Sequence, residues 1–165
     1  MKRTMAMKHL NSAVKMLAAA GASALIMATA MVKPMEGVRY TPYIDVAGVQ
    51  TVCYGHTGAG IISDKVYSQA ECDELLESDL ADVKRMVDPM IHVDIPETTR
   101  AALYSFTFNV GIGSFSRSTL LKLLNKGEWY AACDQLKRWV YAAGKPWKGL
   151  MNRRDIEREV CLMQS

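Results

Sequence analysis

The sequence is short of the residues that build metal and redox centres. Its 165 residues include three histidines, no two at the spacing that grips a metal, and four cysteines with no C-x-x-C pair. A zinc site and a dithiol redox motif are thereby excluded, no metal ligand set exists, and no cofactor is expected. Internal repeats and long low-complexity linkers are absent too, so the length reads as one domain able to bury its own core. No nucleic-acid motif accompanies the basic residues, and nucleic acid is not an expected partner. The first 15 residues contain no acidic side chain but carry Lys2, Arg3, Lys8 and Lys15. A long hydrophobic run is also missing: the charge-free stretch from Met16 to Val32 has 17 residues, and seven of them are alanine.

That stretch reads as a targeting element. As a helix it spans about 25 Å at ~1.5 Å per residue, short of the roughly 30 Å hydrocarbon core of a bilayer. Only if Ala13 and Val14 join and Lys15 snorkels does it reach, so residues 13–32 form a marginal membrane anchor. The cationic flank keeps the N-terminus in the cytoplasm and places everything after Val32 outside. Two other readings stand beside this one. Ala28-Thr29-Ala30 has the A-x-A pattern of a cleaved signal peptide, although the apolar run continues past it with no polar region before it. The segment can also be a core helix of the folded domain, and Ala20, Ala24 and Ala28 form a small-residue stripe on which another helix packs closely. The chain divides accordingly into a targeting segment, 1–32, and a folded domain, 33–165.

Charge is unevenly spread over that domain. Residues 34–96 carry 4 basic and 11 acidic side chains, and residues 97–165 carry 11 basic and 6 acidic. An acidic half followed by a basic one fits solvated faces on two lobes, or a basic wall that favours an anionic polymer. All four cysteines, Cys53, Cys72, Cys133 and Cys161, lie beyond the apolar segment, which suits disulfides in an oxidising compartment, with buried free thiols as the alternative. Of the three connectivities, Cys53–Cys72 and Cys133–Cys161 are favoured, because each pair is local to one half of the chain.

The pattern along the chain predicts an α+β fold: a small sheet-bearing lobe, a connecting helix and a helical lobe. Residues 38–66 mix β-formers with turn residues and predict two or three short strands. Ser68-x-x-Glu71 is a capping box opening a helix through Leu75, Leu76, Leu80 and Val83 to about Val87. Pro96 starts another, which Gly111 and Gly113 end. Ser118 caps a short helix stopping at Asn125-Lys126-Gly127, and further helices are expected at about 128–142 and 149–162.

The chemistry concentrates just after the apolar segment. Glu36, Asp45 and Thr51 stand in one short stretch with glycines between them. Two carboxylates and a hydroxyl are the groups that acid-assisted hydrolysis of a sugar polymer requires. An isolated acid is ordinarily a surface charge; here the joint spacing argues for a site. Only Lys33, Pro34 and Met35 separate Val32 from Glu36, a reach of about 10–14 Å even when extended. Whatever holds the apolar segment therefore holds Glu36 as well.

Glu36-Gly37, Tyr43-x-Asp45, Gly48, Thr51 and Gly55-His56 resemble, at matching spacing, the glutamate–aspartate–threonine element of the phage-type lysozymes, glycoside hydrolase family 24. Downstream, the run from Arg100 through Phe106, Phe108-Asn109, Gly111 and Gly113 to Ser118-Thr119-Leu120 is similar to the same family's C-terminal lobe. So is Gly149-Leu150-x2-Arg153-Arg154-x2-Glu157-x3-Cys161. The whole resembles members that carry a signal-anchor-release segment and serve as endolysins in bacteriophage host lysis. One departure is Cys53, where many members have glycine.

The resemblance implies a lysozyme-like two-lobed fold and a monomeric muramidase cutting the β-1,4 bond between N-acetylmuramic acid and N-acetylglucosamine in peptidoglycan. In that reading Glu36 is the general acid, protonated through burial against apolar groups or nearby negative charge. Asp45 stays ionised and, with Thr51, orients the attacking water; inversion is expected, with the carboxyls roughly 6.5–9.5 Å apart. Phe108, Asn109 and Ser118 match family positions at the cleft and are the candidate substrate contacts. His56 reads as structural, hydrogen-bonding near its turn. The enzyme is expected at the inner membrane, inactive while tethered, and then released to the periplasm. Because residues 1–32 contain no cysteine, repositioning rather than thiol exchange is the expected control. The rival readings are a lytic transglycosylase acting on the same bond and a non-catalytic, membrane-tethered wall-binding protein.

Overall fold

The computed structural model describes residues 2–164, with side chains from His9 onward; the side chains of Lys2, Arg3 and Lys8 in the cationic start lie outside the described ones. The apolar segment does not form one helix. Helix α1 (Lys2–Ala19) stops before Gly21, which takes a positive φ of 76°, and Ser23 then caps α2 (Ala24–Glu36) by accepting the N–H of Ile26. The break falls where glycine and a capping serine offer the backbone a better alternative to helix. Among the described residues, no helix is long and apolar enough to cross a membrane.

Helix α2 belongs to the core of this structure, the third of the readings above. Met27, Ala28, Met31 and Val32 are fully buried, and Ala24 nearly so. They pack on α4 (Glu97–Val110), the central helix, whose stretch from Ala101 to Thr107 is buried on every side. A helix enclosed all round is apolar or small all round, as this one is. Polar contacts fasten α2 along its length: the Ala24 N–H donates to Glu97 at 2.7 Å, and Lys33 pairs with Asp73 at 3.0 Å. The helix passes through the 32/33 boundary drawn from the sequence and ends at Gly37, in the left-handed region at φ 69°.

Beyond it a three-stranded antiparallel sheet, β1 (Arg39–Ile44), β2 (Gln50–Cys53) and β3 (His56–Thr57), forms the small lobe. Tyr43 faces Thr51 across β1 and β2, and Thr51 faces Thr57 across β2 and β3. The capping box opens α3 (Gln69–Val87) as expected, with Ser68 and Glu71 satisfying each other's backbone N–H groups. Helix α3 touches the sheet on one side and α4 on the other, linking the lobes. Gly111 ends α4, and the short helices α5 (Ile112–Ser116), α6 (Thr119–Asn125) and α7 (Trp129–Asp134) follow, before α8 (Lys148–Cys161). Both favoured disulfides, Cys53–Cys72 and Cys133–Cys161, are formed.

The helix expected over 128–142 is much shorter. After α7 and a 3₁₀ turn at 135–138 the chain makes a hairpin, β4 (Tyr141–Ala142) with β5 (Lys145–Pro146). Its two-residue turn holds Ala143 and Gly144 at φ 51° and 76°, the left-handed pair that matches the twist of a tight hairpin. Alanine at the first of these positions hid the turn in the sequence.

Candidate active site

Glu36 is the last residue of α2, and its carboxylate accepts a hydrogen bond from Nη1 of Arg153 on α8 at 2.5 Å. Its side chain is about one-quarter exposed, 25% against 7% for Arg153. The acid is thus not sealed among apolar groups, one of the two environments the sequence reading allowed; it lines a cavity of about 410 Å³. Phe108 and Asn109 from the end of α4 share that cavity, with Asp79 and Asp82 of α3 and Tyr54 and Thr57 from the sheet lobe. Asp79 and Asp82 thus bring two further carboxylates into the lining that Glu36 shares.

Asp45 and Thr51 do not line this cavity; both sit on the β1–β2 hairpin. Asp45 Oδ1 accepts the N–H groups of Ala47 and Val49 at 2.8 and 2.9 Å, so the carboxylate is fixed by its own turn. Thr51 is buried and its hydroxyl donates to the Val49 carbonyl at 3.1 Å. Thr57, its cross-strand neighbour, does line the cavity, which places Thr51 one strand behind the wall. Ser118 also lies outside. Its buried hydroxyl accepts from the Leu121 N–H and donates to the Phe115 carbonyl at 2.7 Å, the duty of a helix cap rather than a cleft contact.

His56 bonds through Nδ1 to both oxygens of Asp79, at 2.9 and 3.0 Å, tying β3 to α3. Burial pushes the Asp79 carboxyl above its ordinary value, while the His56 contact pulls the other way. No sequence signal pairs these two residues, which lie 23 positions apart. A second cavity, about 650 Å³, lies against Arg153 and is lined chiefly by Leu10, Pro34, Met35, Trp147 and Ile156; it contains no acid.

Residues 33–157 match the family model described as "Phage lysozyme". The chain belongs to the phage lysozyme family. As a phage lysozyme it is a glycoside hydrolase with the lysozyme-like α+β fold. It is 62% identical over 128 residues to a SAR-endolysin of Bacteriophage PS119, covering 78% of this chain and 77% of that one. To a SAR-endolysin of Enterobacteria phage P21 it is 55% identical over 151 residues, covering 88% and 92%. Among solved structures, a P22 lysozyme mutant superposes with TM-score 0.74 at 30% identity, over 82% of this chain and 95% of that one. The active form of the P1 phage endolysin Lyz gives TM-score 0.74 at 26% identity, over 94% and 93%.

Proposed function

We propose that this phage endolysin hydrolyses the β-1,4 bond between N-acetylmuramic acid and N-acetylglucosamine in peptidoglycan, with Glu36 as the acid that protonates the leaving oxygen. The observation that carries this reading is the Glu36–Arg153 pair, with Glu36 in the lining of a cavity of about 410 Å³ between the lobes. When Glu36 gives up its proton it becomes a carboxylate, and the Arg153 guanidinium is already in place to take that charge without rearrangement. Asp45 and Thr51 stand on the β1–β2 hairpin beside the cavity rather than in its lining; the family resemblance gives Asp45, held by its own turn, the stabilisation of positive charge at the anomeric carbon and gives the pair the attacking water once glycan draws the hairpin in. Attack from the side opposite the leaving group inverts the anomeric centre. Phe108 and Asn109 contact the glycan; Ser118 supports the cleft from behind, by starting α6.

The same reading includes control by the N-terminus. Residues 13–32 first sit in the inner membrane with the N-terminus inside, and the enzyme is idle there because α2 and its Glu36 are withheld from the lobe they complete. Release to the periplasm lets the segment fold as α1 and α2 on the body of a monomer. Support comes from the relatives named SAR-endolysin and from the likeness to an active-form endolysin over 94% of the chain, N-terminal segment included. Cleavage after Ala30 would cut α2 in half, which favours a retained segment over a removed signal peptide.

A zymogram of the full chain beside Glu36→Gln tests catalysis: the variant folds and loses at least ~100-fold of its wall-degrading activity. An undiminished clearing zone sinks the assignment. For control, residues 20–165 fused behind an efficiently cleaved signal sequence lyse cells earlier than the native chain does. Equal lysis times would remove tethering from the account.

A further inference from the structure

The contact that holds Glu36 does not end at Arg153. Behind it lies Glu157, fully enclosed between α8 and α4. Its Oε1 accepts from Ser105 at 2.8 Å, from Arg153 Nε at 3.3 Å and from Arg154 Nη2 at 3.2 Å, and its Oε2 lies 2.7 Å from Arg154 Nε. Each of the two guanidiniums held this way hands one N–H onward to the cleft. Arg153 reaches Glu36, and Arg154, itself buried, reaches Asn109 Oδ1 at 2.9 Å while its guanidinium carbon lies 5.1 Å from the Phe106 ring centroid. A single carboxylate therefore stands behind both an acid and a proposed substrate contact.

Stability alone gives a poor account of such a cluster. Burial pushes the Glu157 carboxyl up and the Arg154 guanidinium down, the cost of placing charges away from water, and their mutual attraction opposes both shifts. Apolar side chains of similar volume serve a core as well or better. What apolar groups cannot do is aim two adjacent cations, which repel each other, at two points in a cleft. The charge count points the same way. With Glu36 ionised, two arginines face two carboxylates and the cluster is neutral; with Glu36 protonated it carries one excess positive charge.

We propose that Glu157 is a positioning residue for the hydrolysis: it clamps Arg153 and Arg154 side by side, so that one receives the charge left on Glu36 and the other holds Asn109 at the substrate. This rests on Glu36 being the acid. The charged and titratable groups around Glu36 among the described residues are Arg153 on α8, with Arg154 and Glu157 behind it, and, in the same cavity lining, Asp79 and Asp82 of α3 and Tyr54 of the sheet lobe, Asp79 being bonded to His56. Removing the Glu157 charge leaves the cluster more positive and makes Glu36 surrender its proton more readily to solvent.

Glu157→Gln in the full chain, assayed on solubilised glycan strands from peptidoglycan, tests this. The expected result is a kcat at least tenfold lower with KM within about threefold, and a basic limb of the pH profile moved to lower pH by about one unit. A folded variant whose basic limb stays in place, or whose kcat is unchanged, overturns the proposal, since a residue that merely filled space would move neither. Should Glu157→Gln fail to fold, Glu157→Asp decides. With the charge kept but withdrawn by one methylene, kcat falls at least fivefold while the basic limb holds; an unchanged kcat overturns the clamp. Glu36→Gln on the same substrate separates the two ideas: activity there ends the acid assignment, whatever Glu157 does.

Discussion

Cys53 shows how much one residue carries. It occupies the glycine position of its turn and adopts the glycine conformation, φ 60°, while its sulfur is bonded to Cys72 nineteen residues on. A side chain in the left-handed region costs about 1 kcal/mol, and a crosslink closing a loop of that size contributes roughly 3 kcal/mol. The double substitution Cys53→Gly with Cys72→Ala therefore loses about 2 kcal/mol in denaturant unfolding; a net gain would mean that the crosslink contributes little. The two cysteine pairs were legible at this scale, because each lies within one half of the chain. Asp79 was not recognisable as lining the cavity. It gains its meaning from His56, a partner brought in by tertiary packing, and an acidic residue on an amphipathic helix gives no local sign of that.

At the scale of elements, caps and breakers announced themselves. The Ser68–Glu71 box, the Gly111 stop and the Ser118 cap each placed a helix end within a residue or two. The β4–β5 hairpin stayed hidden because Ala143 occupies a left-handed position usually held by asparagine or glycine. Ala143→Gly relieves that strain and should leave the fold unchanged or up to about 1 kcal/mol more stable by thermal unfolding. The joint between α3 and α4 is pH-sensitive in a defined direction. Burial raises the Asp88 carboxyl, but Lys84, Tyr104 and Arg100 together outweigh it and hold the group below its usual value. A depressed carboxyl stabilises the fold above its unfolded pKa of about 3.9, and that contribution fades as pH falls through the folded value. Unfolding free energy should thus drop on acidification below about pH 4, and Asp88→Asn should flatten that part of the curve. A variant with the same acid slope as the parent would show that the three donors do not hold Asp88 charged.

For the molecule as a whole, the α+β architecture was readable because the small sheet and the helices have their own periodicities, and the class of chemistry because the motifs resemble the phage-type lysozymes. The fate of the apolar segment was harder to read, because a weakly apolar, alanine-rich stretch suits a lipid span and a crowded core alike. The structure shows what the core demands: Ala28 is fully enclosed against its neighbours. Ala28→Leu should cost about 1–3 kcal/mol through overpacking, measured by urea denaturation; a stable variant would mean that the α2–α4 contact has slack. That enclosed methyl group has a consequence for how the lineage can change. Under the proposed tethering, a bulkier side chain would strengthen the grip of lipid on the segment but overpack the folded core, and a polar one would weaken that grip and be buried without a partner. Change at these few positions is opposed in either direction, so on that proposal the onset of lysis is retuned by mutation more readily on the outward side of the segment, where Ile26 is exposed, than on the side that meets the core.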